Sequence, residues 1–223
     1  MKVLIAGATG ATGSALFELC LNNDQIEKII LLHHRHFDYP ENTKTELIVR
    51  KLDDLSDLGK LDVDRVFCCI GTTIKKAGSK EAFAKVDKYI PIALAKWTKE
   101  NSDASFHIIS ADGASSRSLF FYNRVKGSME ESIKALSLAS LYIYGPPLLL
   151  AERNELRRGE KAAAHVLNFL CRIFPKGMDG IRPLKVEDLA AIMLWDALHL
   201  HAGLHRRKAS DLNKKARHMA GLS

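Results

Sequence analysis

Cysteine is scarce in this chain, and its spacing argues against the two structural roles that paired cysteines most often have. The 223 residues contain four cysteines, Cys20, Cys68, Cys69 and Cys171, and no C-x-x-C pair occurs among them. Disulfide scaffolds and zinc sites both depend on dense or regularly spaced cysteines. Cys20 and Cys171 lie in apolar, helix-like stretches, so we expect buried, reduced thiols.

Long apolar runs are also lacking. No segment reaches the roughly 18 consecutive apolar residues that a membrane-spanning helix needs. The first ten residues, MKVLIAGATG, carry one lysine and a short apolar run that glycines interrupt at once, which is unlike a signal peptide. The sequence therefore predicts a cytoplasmic protein without a membrane span.

Positive charge is not arranged in a stripe interleaved with aromatic residues, although the chain is basic overall. The net charge is +7, and much of the excess lies in the final segment, HLHAGLHRRKASDLNKKARHMAGLS. Elsewhere the lysines are scattered among acidic residues, so specific nucleic-acid binding is not expected. We interpret residues 203–223 as a basic tail, and we expect the last twenty residues to be poorly ordered.

Internal repeats and low-complexity linkers are absent, and a single domain over residues 1–223 is expected. Short apolar runs alternate with longer amphipathic stretches, which is typical of a parallel sheet with helical crossovers. The predicted strands are 2–7, 28–33, 45–52, 65–71 and 105–110, with another starting at 140, and the predicted helices are 12–23, 80–101, 159–174 and most of 181–200. The predicted fold class is α/β, a doubly wound parallel sheet of the Rossmann type with a small C-terminal elaboration over about residues 145–200.

The sequence GATGATG joins the first predicted strand to the first predicted helix. Gly7 would permit the tight turn, Gly10 would let a phosphate approach the backbone, and Gly13 would let helix and strand pack closely. The first N–H groups of a helix are unpaired, and the helix dipole favours negative charge there, so we expect a dinucleotide pyrophosphate on this turn. The alternative is a glycine-rich turn without a ligand. The expected binding residues are Gly7, Thr9, Gly10, Ala11, Thr12 and Gly13.

A basic corner follows the second predicted strand. The sequence there is LLHHRHF, with no acidic residue before Asp38. A carboxylate at this place would hold the ribose 2′-hydroxyl of NAD, whereas Arg35 with His34 would pair with the 2′-phosphate of NADP. We therefore expect NADP(H) to be favoured over NAD(H); the alternative is a solvated basic turn. A metal site is not expected, because successive side chains along a strand point to opposite faces.

Polar residues also follow the next two predicted strands. Asp53 and Asp54 come after the third, and either could accept a hydrogen bond from the adenine amino group. Gly71, Thr72 and Thr73 come after the fourth, where a small turn suits contact with the cofactor's riboses. Ligands of open α/β sheets bind at this carboxyl end, which supports both assignments.

Several stretches occur in the order of the short-chain dehydrogenase/reductase superfamily. They are GATGATG, the basic residue after the second strand, FCCIGTTIKKAGSKEAFAKVD, a serine ending the fifth strand, YNRVKG and RPLKVEDLA. The chain resembles the atypical branch of that superfamily, and within it the HIV Tat-interactive-protein-like oxidoreductases. The resemblance covers roughly residues 1 to 200.

This resemblance implies a Rossmann fold, NADPH binding and a Ser-Tyr-Lys catalytic group. Carried over residue by residue, the group would be Ser110, Tyr122 and Lys126, and Lys126 and Pro146 would also contact the cofactor. The chain departs from the family pattern beside these positions. Ala111 and Asp112 follow the serine where relatives often have a second serine and another polar residue, and Gly145 stands where many relatives have an arginine before the proline.

The Tyr-x-x-x-Lys pair has a chemical rationale of its own. A free tyrosine has a pKa of about 10, and an ammonium one helical turn away favours its phenolate. The hypothesis is that Tyr122 donates a proton to a carbonyl oxygen, Lys126 tunes it and grips the ribose, and Ser110 hydrogen-bonds the same oxygen. Asp87 and Trp97 are interpreted as ordinary parts of an amphipathic helix.

Two functions remain open from the sequence. The first is an NADP(H)-dependent oxidoreductase that reduces a small carbonyl substrate by a Ser-Tyr-Lys mechanism. The second is a catalytically weak NADPH-binding regulator that acts through a protein partner. Asn123 and Arg124 are expected to face solvent or a neighbouring subunit, which is compatible with a homodimer.

Overall fold

Seven parallel strands form the central sheet of the computed structural model, which describes residues 1–40, 42–150 and 182–221. Their spatial order is β3-β2-β1-β4-β5-β6-β9. The strands are β1 (Lys2–Ala6), β2 (Lys28–His33), β3 (Thr45–Val49), β4 (Arg65–Cys68), β5 (Ser105–Ile109), β6 (Ser140–Tyr144) and β9 (Gly203–Arg207). A separate pair, β7 (Leu149–Leu150) and β8 (Leu184–Lys185), is also parallel.

Helices connect these strands. They are α1 (Ala11–Leu21), α2 (Ile74–Ala77), α3 (Lys80–Ala84), α4 (Ile90–Asn101), α5 (Phe121–Lys134), α6 (Val186–Leu198) and α7 (Ala209–Met219). A single π-helical turn, Lys85–Tyr89, joins α3 to α4. None of the helices in the described ranges is long and apolar enough to cross a membrane.

Two hydrophobic layers cover the sheet, one on each face. In β1, Val3 and Ile5 pack into the layer that α1 and α6 share, while Leu4 and Ala6 pack into the layer that contains α4 and α5. All four side chains are fully buried. A strand covered on both faces needs apolar residues at every position, which is why the continuous run KVLIA predicts a central strand correctly.

The strand order reverses between β1 and β4. From β1 the chain moves outward through β2 to β3, and it then returns to build the other half from β4 to β9. The carboxyl ends of β1 and β4 therefore border the crevice where open α/β sheets bind their ligands. The doubly wound parallel sheet expected from the sequence is confirmed.

Element ends differ from prediction by a few residues. β4 ends at Cys68 rather than at residue 71, because the chain turns out of the sheet there and the backbone of Cys69 passes against Gly7. The predicted helix over 159–174 and Cys171 lie outside the described residues. Cys20 and Cys68 are buried, as expected, and burial raises the pKa of each thiol to about 12.

The basic C-terminal segment is not a tail, which corrects the prediction for residues 203–223. Gly203–Arg207 is the seventh strand of the sheet and pairs with β6, and Ala209–Met219 forms α7. Arg206 bonds Glu130, and Arg207 bonds Asp196. Both carboxylates are buried, so these arginines neutralise interior charges that only the folded chain brings to them.

Candidate active site

The turn between β1 and α1 is built so tightly that side chains are excluded at two of its glycines. Gly7 has φ of +93°, and a Cβ there would lie 2.7 Å from the carbonyl carbon of Cys69. A Cβ on Gly13 would lie 2.1 Å from the carbonyl oxygen of Gly7. Glycine at both positions is therefore a requirement of the backbone path, and the packing role predicted for Gly13 agrees with the geometry.

The same turn has the features that a pyrophosphate requires. Gly10 is the N-cap of α1 and no side chain caps the helix, so the first-turn N–H groups, including those of Ala11 and Thr12, are left for a ligand. Thr9 and Gly10 are exposed beside them. These residues fit a dinucleotide bound through its phosphates.

His33 connects this turn to the basic corner. Its Nδ1 lies 2.7 Å from the carbonyl oxygen of Arg35, and its Nε2 lies 3.3 Å from Oγ1 of Thr9. The backbone N–H of Arg35 also lies 3.2 Å from the same Nδ1, so both backbone groups of Arg35 approach this ring nitrogen. The ring is buried, so it fixes the start of the corner relative to the phosphate turn. The sequence prediction had not included His33 among the binding residues.

The predicted residues of the corner are open to solvent. His34, Arg35 and His36 are all exposed at the end of β2. Partial burial lowers the pKa of His34, and the neighbouring His33 and Arg35 lower it further. The positive charge available at neutral pH therefore comes chiefly from the guanidinium of Arg35.

Asp53 and Asp54 follow β3, as predicted, and each has a partner of its own. Asp53 accepts from Nζ of Lys85 at 2.6 Å, and Asp54 accepts from the hydroxyl of Ser56 at 2.8 Å. These hydrogen bonds hold the pKa of both carboxyls below the ordinary value. Both side chains are exposed, so they remain accessible acceptors at the rim of the sheet.

The turn after β4 contains Gly71, Thr72 and Thr73. The backbone N–H of Thr72 donates to Oδ2 of Asp87 at 2.8 Å. The hydroxyl of Thr73 caps α2 by accepting from the N–H of Lys76 at 3.2 Å. Gly71 is exposed on the carboxyl side of the sheet.

One face of α5 carries the predicted tyrosine and lysine. Tyr122, Lys126, Glu130 and Lys134 follow one another at intervals of four residues, so they form one stripe along the helix. Tyr122 is 38% exposed and its ring contacts Phe83, with the ring centroids 5.6 Å apart. Tyr122 is thus a partly exposed residue at one end of the stripe.

Lys126 is only 3% exposed. Its Nζ forms an ion pair with Oδ1 of Asp87 at 2.8 Å and lies 3.4 Å from the carbonyl oxygen of Ile109 at the end of β5. Asp87, interpreted from the sequence as an ordinary helix residue, is 1% exposed, and that interpretation was wrong. A buried carboxylate paired with the candidate catalytic lysine belongs to the site.

Ser110 directly follows β5, one residue beyond the observed end of the strand, and its hydroxyl is engaged. Oγ donates to Oε1 of Glu130 at 2.6 Å. Glu130 also accepts from the guanidinium of Arg206 at 3.0 Å and from Nζ of Lys134 at 3.2 Å. Burial opposes the ionisation of Glu130, but the bonds from Arg206 and Ser110 outweigh it and the pKa is lowered.

The positions that depart from the family pattern surround the same arginine. Nη2 of Arg206 lies 3.3 Å from the carbonyl oxygen of Ala111, and a Cβ on Gly145 would lie 3.3 Å from that same nitrogen. Arg206 of β9 therefore occupies the space beside position 145. Pro146 is buried, and its carbonyl oxygen accepts from the N–H of Asp112 at 3.0 Å.

A weak sequence signal for Glu130 was present. The spacing Tyr-x-x-x-Lys-x-x-x-Glu places the three side chains on one helix face. The glycine in YNRVKG also had a structural meaning, since a Cβ on Gly127 would lie 2.1 Å from the carbonyl carbon of Ser115. The loop before α5 packs directly on the helix at that point. No sequence pattern indicated that Arg206 belongs to this cluster, because its partners lie far away in the sequence.

Comparison with known proteins identifies the family. The chain is 33% identical to the protein HTATIP2 of Rattus norvegicus over 164 residues, which is 71% of this chain and 67% of the relative. The chain belongs to the HTATIP2/FMP52 family. It is also 29% identical over 201 residues to the mitochondrial protein FMP52 of Candida albicans, covering 87% of this chain and 86% of that protein. No family model matches the chain.

Solved structures agree with this HTATIP2/FMP52 family assignment at the level of the fold. A short-chain dehydrogenase family protein from Francisella tularensis matches with a TM-score of 0.65 and 14% identity, over 94% of this chain and 98% of that one. The reductase domain of PhqB from Penicillium fellutanum matches with a TM-score of 0.67 and 16% identity, over 92% of this chain and 66% of that one. The Rossmann-like fold and the family predicted from the sequence are both confirmed.

Proposed function

We propose that this HTATIP2/FMP52-family chain is an NADP(H)-dependent oxidoreductase that reduces a small carbonyl substrate. The observation that carries the proposal is the arrangement on α5, where the buried ammonium of Lys126 lies one helical turn from the partly exposed Tyr122. The glycine turn at the switch point of the sheet and the exposed Arg35 support the choice of cofactor. When bound, NADPH supplies the hydride.

The cofactor would be held along the carboxyl edge of the sheet. Backbone N–H groups at the start of α1 would bind the pyrophosphate, Arg35 the 2′-phosphate, and Asp53 the adenine amino group. The turn of Gly71, Thr72 and Thr73 borders the ribose side, together with Lys126 and Pro146. Arg35 is the group that would distinguish NADP from NAD, because His34 is largely neutral at neutral pH.

Tyr122 is the proposed acid. Its hydroxyl would donate a proton to the carbonyl oxygen as negative charge develops there, and the nearby ammonium of Lys126 would stabilise the resulting phenolate. Ser110 would hydrogen-bond the same oxygen. For that its hydroxyl must rotate away from Glu130, whose carboxylate accepts its hydrogen bond in the observed arrangement.

The engaged serine supports a second candidate. A chain whose Ser110 stays bonded to Glu130 would bind NADPH and present its surface to a protein partner, with little catalysis. If the chain is such a regulator, we expect tight NADPH binding without turnover.

The cytoplasm is the location we propose, although the FMP52 relatives are named as mitochondrial proteins. Cell fractionation with an antibody against the chain would decide between the two locations.

Substitution of Tyr122 by phenylalanine tests the catalytic proposal. We expect kcat on a panel of small aldehydes and ketones to fall by about 10²- to 10⁴-fold, because proton donation by one side chain contributes about that much. The affinity for NADPH, measured by fluorescence titration, should stay within about threefold of the unsubstituted chain, which is under about 1 kcal/mol.

Tyr142→Phe is the matched control, since the Tyr142 hydroxyl bonds the backbone of His201 away from the proposed site, and the kcat of the folded variant should not change. Absence of turnover in the unsubstituted chain that still binds NADPH tightly would favour the regulator. Unchanged kcat in the Tyr122 variant would refute the assigned acid.

A further inference from the structure

The carboxylate of Asp87 occupies an unusual place in the backbone. It lies in the π-helical turn Lys85–Tyr89, where one extra residue in the turn separates α3 from α4. Single π turns inside helices are frequent at functional sites. Here the carboxylate is almost completely removed from solvent, with 1% exposure, and a Cβ on Gly71 would lie 3.4 Å from its Oδ1.

Both oxygens of this carboxylate have defined partners. Oδ1 is 2.8 Å from Nζ of Lys126, and Oδ2 accepts from the N–H of Thr72 at 2.8 Å. One side chain therefore links the catalytic helix α5 to the turn after β4. Both elements are among those proposed to contact the ribose side of the cofactor.

Among the residues that the structure describes, Asp87 alone forms an ion pair with Lys126. Glu130, one turn along the same helix, is already bonded to Arg206, Lys134 and Ser110. Cys68 on β4 faces the lysine from the sheet, but burial raises the pKa of its thiol to about 12, so the thiol is neutral. Tyr122 is the remaining titratable group on the face of α5. Within the described ranges, Asp87 is the carboxylate paired with Lys126.

A buried ammonium without a counter-ion is costly and tends to lose its proton. Two of the three N–H groups of Lys126 point to Asp87 and Ile109, which leaves one for a ribose hydroxyl. We propose that Asp87 is a positioning residue, which keeps Lys126 charged and aimed at the cofactor ribose while it holds the Thr72 turn in place. This inference rests on the proposed dinucleotide-binding function.

The substitution Asp87→Asn removes the negative charge of the side chain and keeps its shape. The amide has one oxygen and one NH₂ group, so it can accept from Lys126 or from Thr72 but not from both, and the other contact becomes donor against donor. The negative charge is lost in either orientation. The substitution should therefore weaken the hold on Lys126 with almost no change in side-chain volume.

The test is NADPH binding by the full chain, measured by fluorescence titration from pH 6 to pH 9.5. We expect Asp87→Asn to bind NADPH about tenfold to a hundredfold more weakly at pH 7, the loss that goes with one charge-assisted hydrogen bond. Its affinity should fall further as pH rises, because the uncompensated ammonium gives up its proton. The unsubstituted chain should show little pH dependence in that range.

Asp196→Asn is the matched control. Asp196 is an equally buried carboxylate that pairs with Arg207 and Lys215 and does not contact Lys126. This variant should lose stability but keep both the affinity and the flat pH profile. A purely structural role for Asp87 would make the two variants behave alike, and that result would overturn the proposal.

A thermal-unfolding cycle of Asp87→Asn, Lys126→Met and the double variant gives a readout without cofactor. The double variant should be more stable than Asp87→Asn alone, because it no longer buries an unpaired charge, and it provides a folded protein if the single variant does not fold. Additive effects would show that the pair is not coupled. Failure of the unsubstituted chain to bind NADPH or NADH would reject the proposed function, whereas normal binding by Asp87→Asn would reject this inference alone.

Discussion

Individual residues at the carboxyl edge of the sheet divide into those that shape the proposed site and those that would face its ligand. Gly7, Gly13 and His33 shape it, since they are fixed by close backbone contacts or by hydrogen bonds. Thr9 and Arg35 are exposed and face outward. Substitution at the first group should alter folding, and substitution at the second should alter affinity.

Arg35→Glu tests the choice of cofactor at the residue scale. A carboxylate there would repel a 2′-phosphate and could accept from a 2′-hydroxyl, so affinity for NADPH should fall by on the order of tenfold or more while affinity for NADH falls less or rises. Calorimetric titration with both nucleotides measures the two effects. Arg117→Glu, at another exposed arginine on the loop before α5, should change neither. Equal losses for the two nucleotides would dismiss Arg35 as the discriminating residue.

At the scale of elements, α5 positions the side chains of the proposed chemistry. The stripe begins with the proposed proton donor, Tyr122. Three side chains of alternating charge follow it: Lys126, Glu130 and Lys134. Gly127, beside the stripe, lets the Ser115 backbone approach the helix closely enough to fix its position. The helix thus connects the open end of the site to the buried cluster around Glu130.

Glu130→Gln tests that cluster through the pH dependence of stability. The folded-state pKa of Glu130 is lowered, so its ionised form contributes stability at neutral pH that is lost as pH falls through the folded pKa. The variant should be less stable at pH 7 by about 1–3 kcal/mol and should lose less on acidification from about pH 5 to pH 3. Thermal unfolding at several pH values measures both quantities. Glu131→Gln changes the exposed neighbouring carboxylate, and this variant should lose stability on acidification as steeply as the unsubstituted chain does. If the Glu130 variant showed that same steepness, the assigned link between Glu130 ionisation and stability would be contradicted.

The whole molecule depends on its last described segment. β9 extends the sheet beside β6, and its arginines neutralise Glu130 and Asp196 in the interior. Asp196 also pairs with Lys215 of α7 at 2.7 Å. The final part of the chain is therefore integral to the fold and to the site.

Truncation after residue 202 should abolish cooperative folding. It would expose the edge of β6, leave the buried Asp196 without Arg207 and Lys215, and leave Glu130 with Lys134 but without Arg206; breaking one such pair already costs about 3–5 kcal/mol. Circular dichroism melting and limited proteolysis would detect the loss. Truncation after Met219, which retains β9 and α7, should melt nearly as the full chain does. A stable, cooperative protein ending at residue 202 would restore the interpretation of this segment as a tail.

The predictions from sequence succeeded where the determining interactions are local. The run KVLIA and the glycines of GATGATG specify a buried strand and a tight turn within a dozen residues, so the central strand and the glycine turn could be derived directly. The order of Ser110, Tyr122 and Lys126 was also readable, because α5 places the latter two on one face by its own periodicity.

The sequence by itself thus determined the fold, the family and the face of α5 that bears the candidate catalytic pair. Only the tertiary structure decided the partners of those residues. Lys126 and its partner Asp87 are 39 residues apart in the sequence, and Glu130 and Arg206 are 76 residues apart. No local sequence pattern predicts pairs at such separations. Buried charges must find counter-ions wherever packing brings them, so the segment that composition marks as a solvated tail becomes the strand that neutralises the interior.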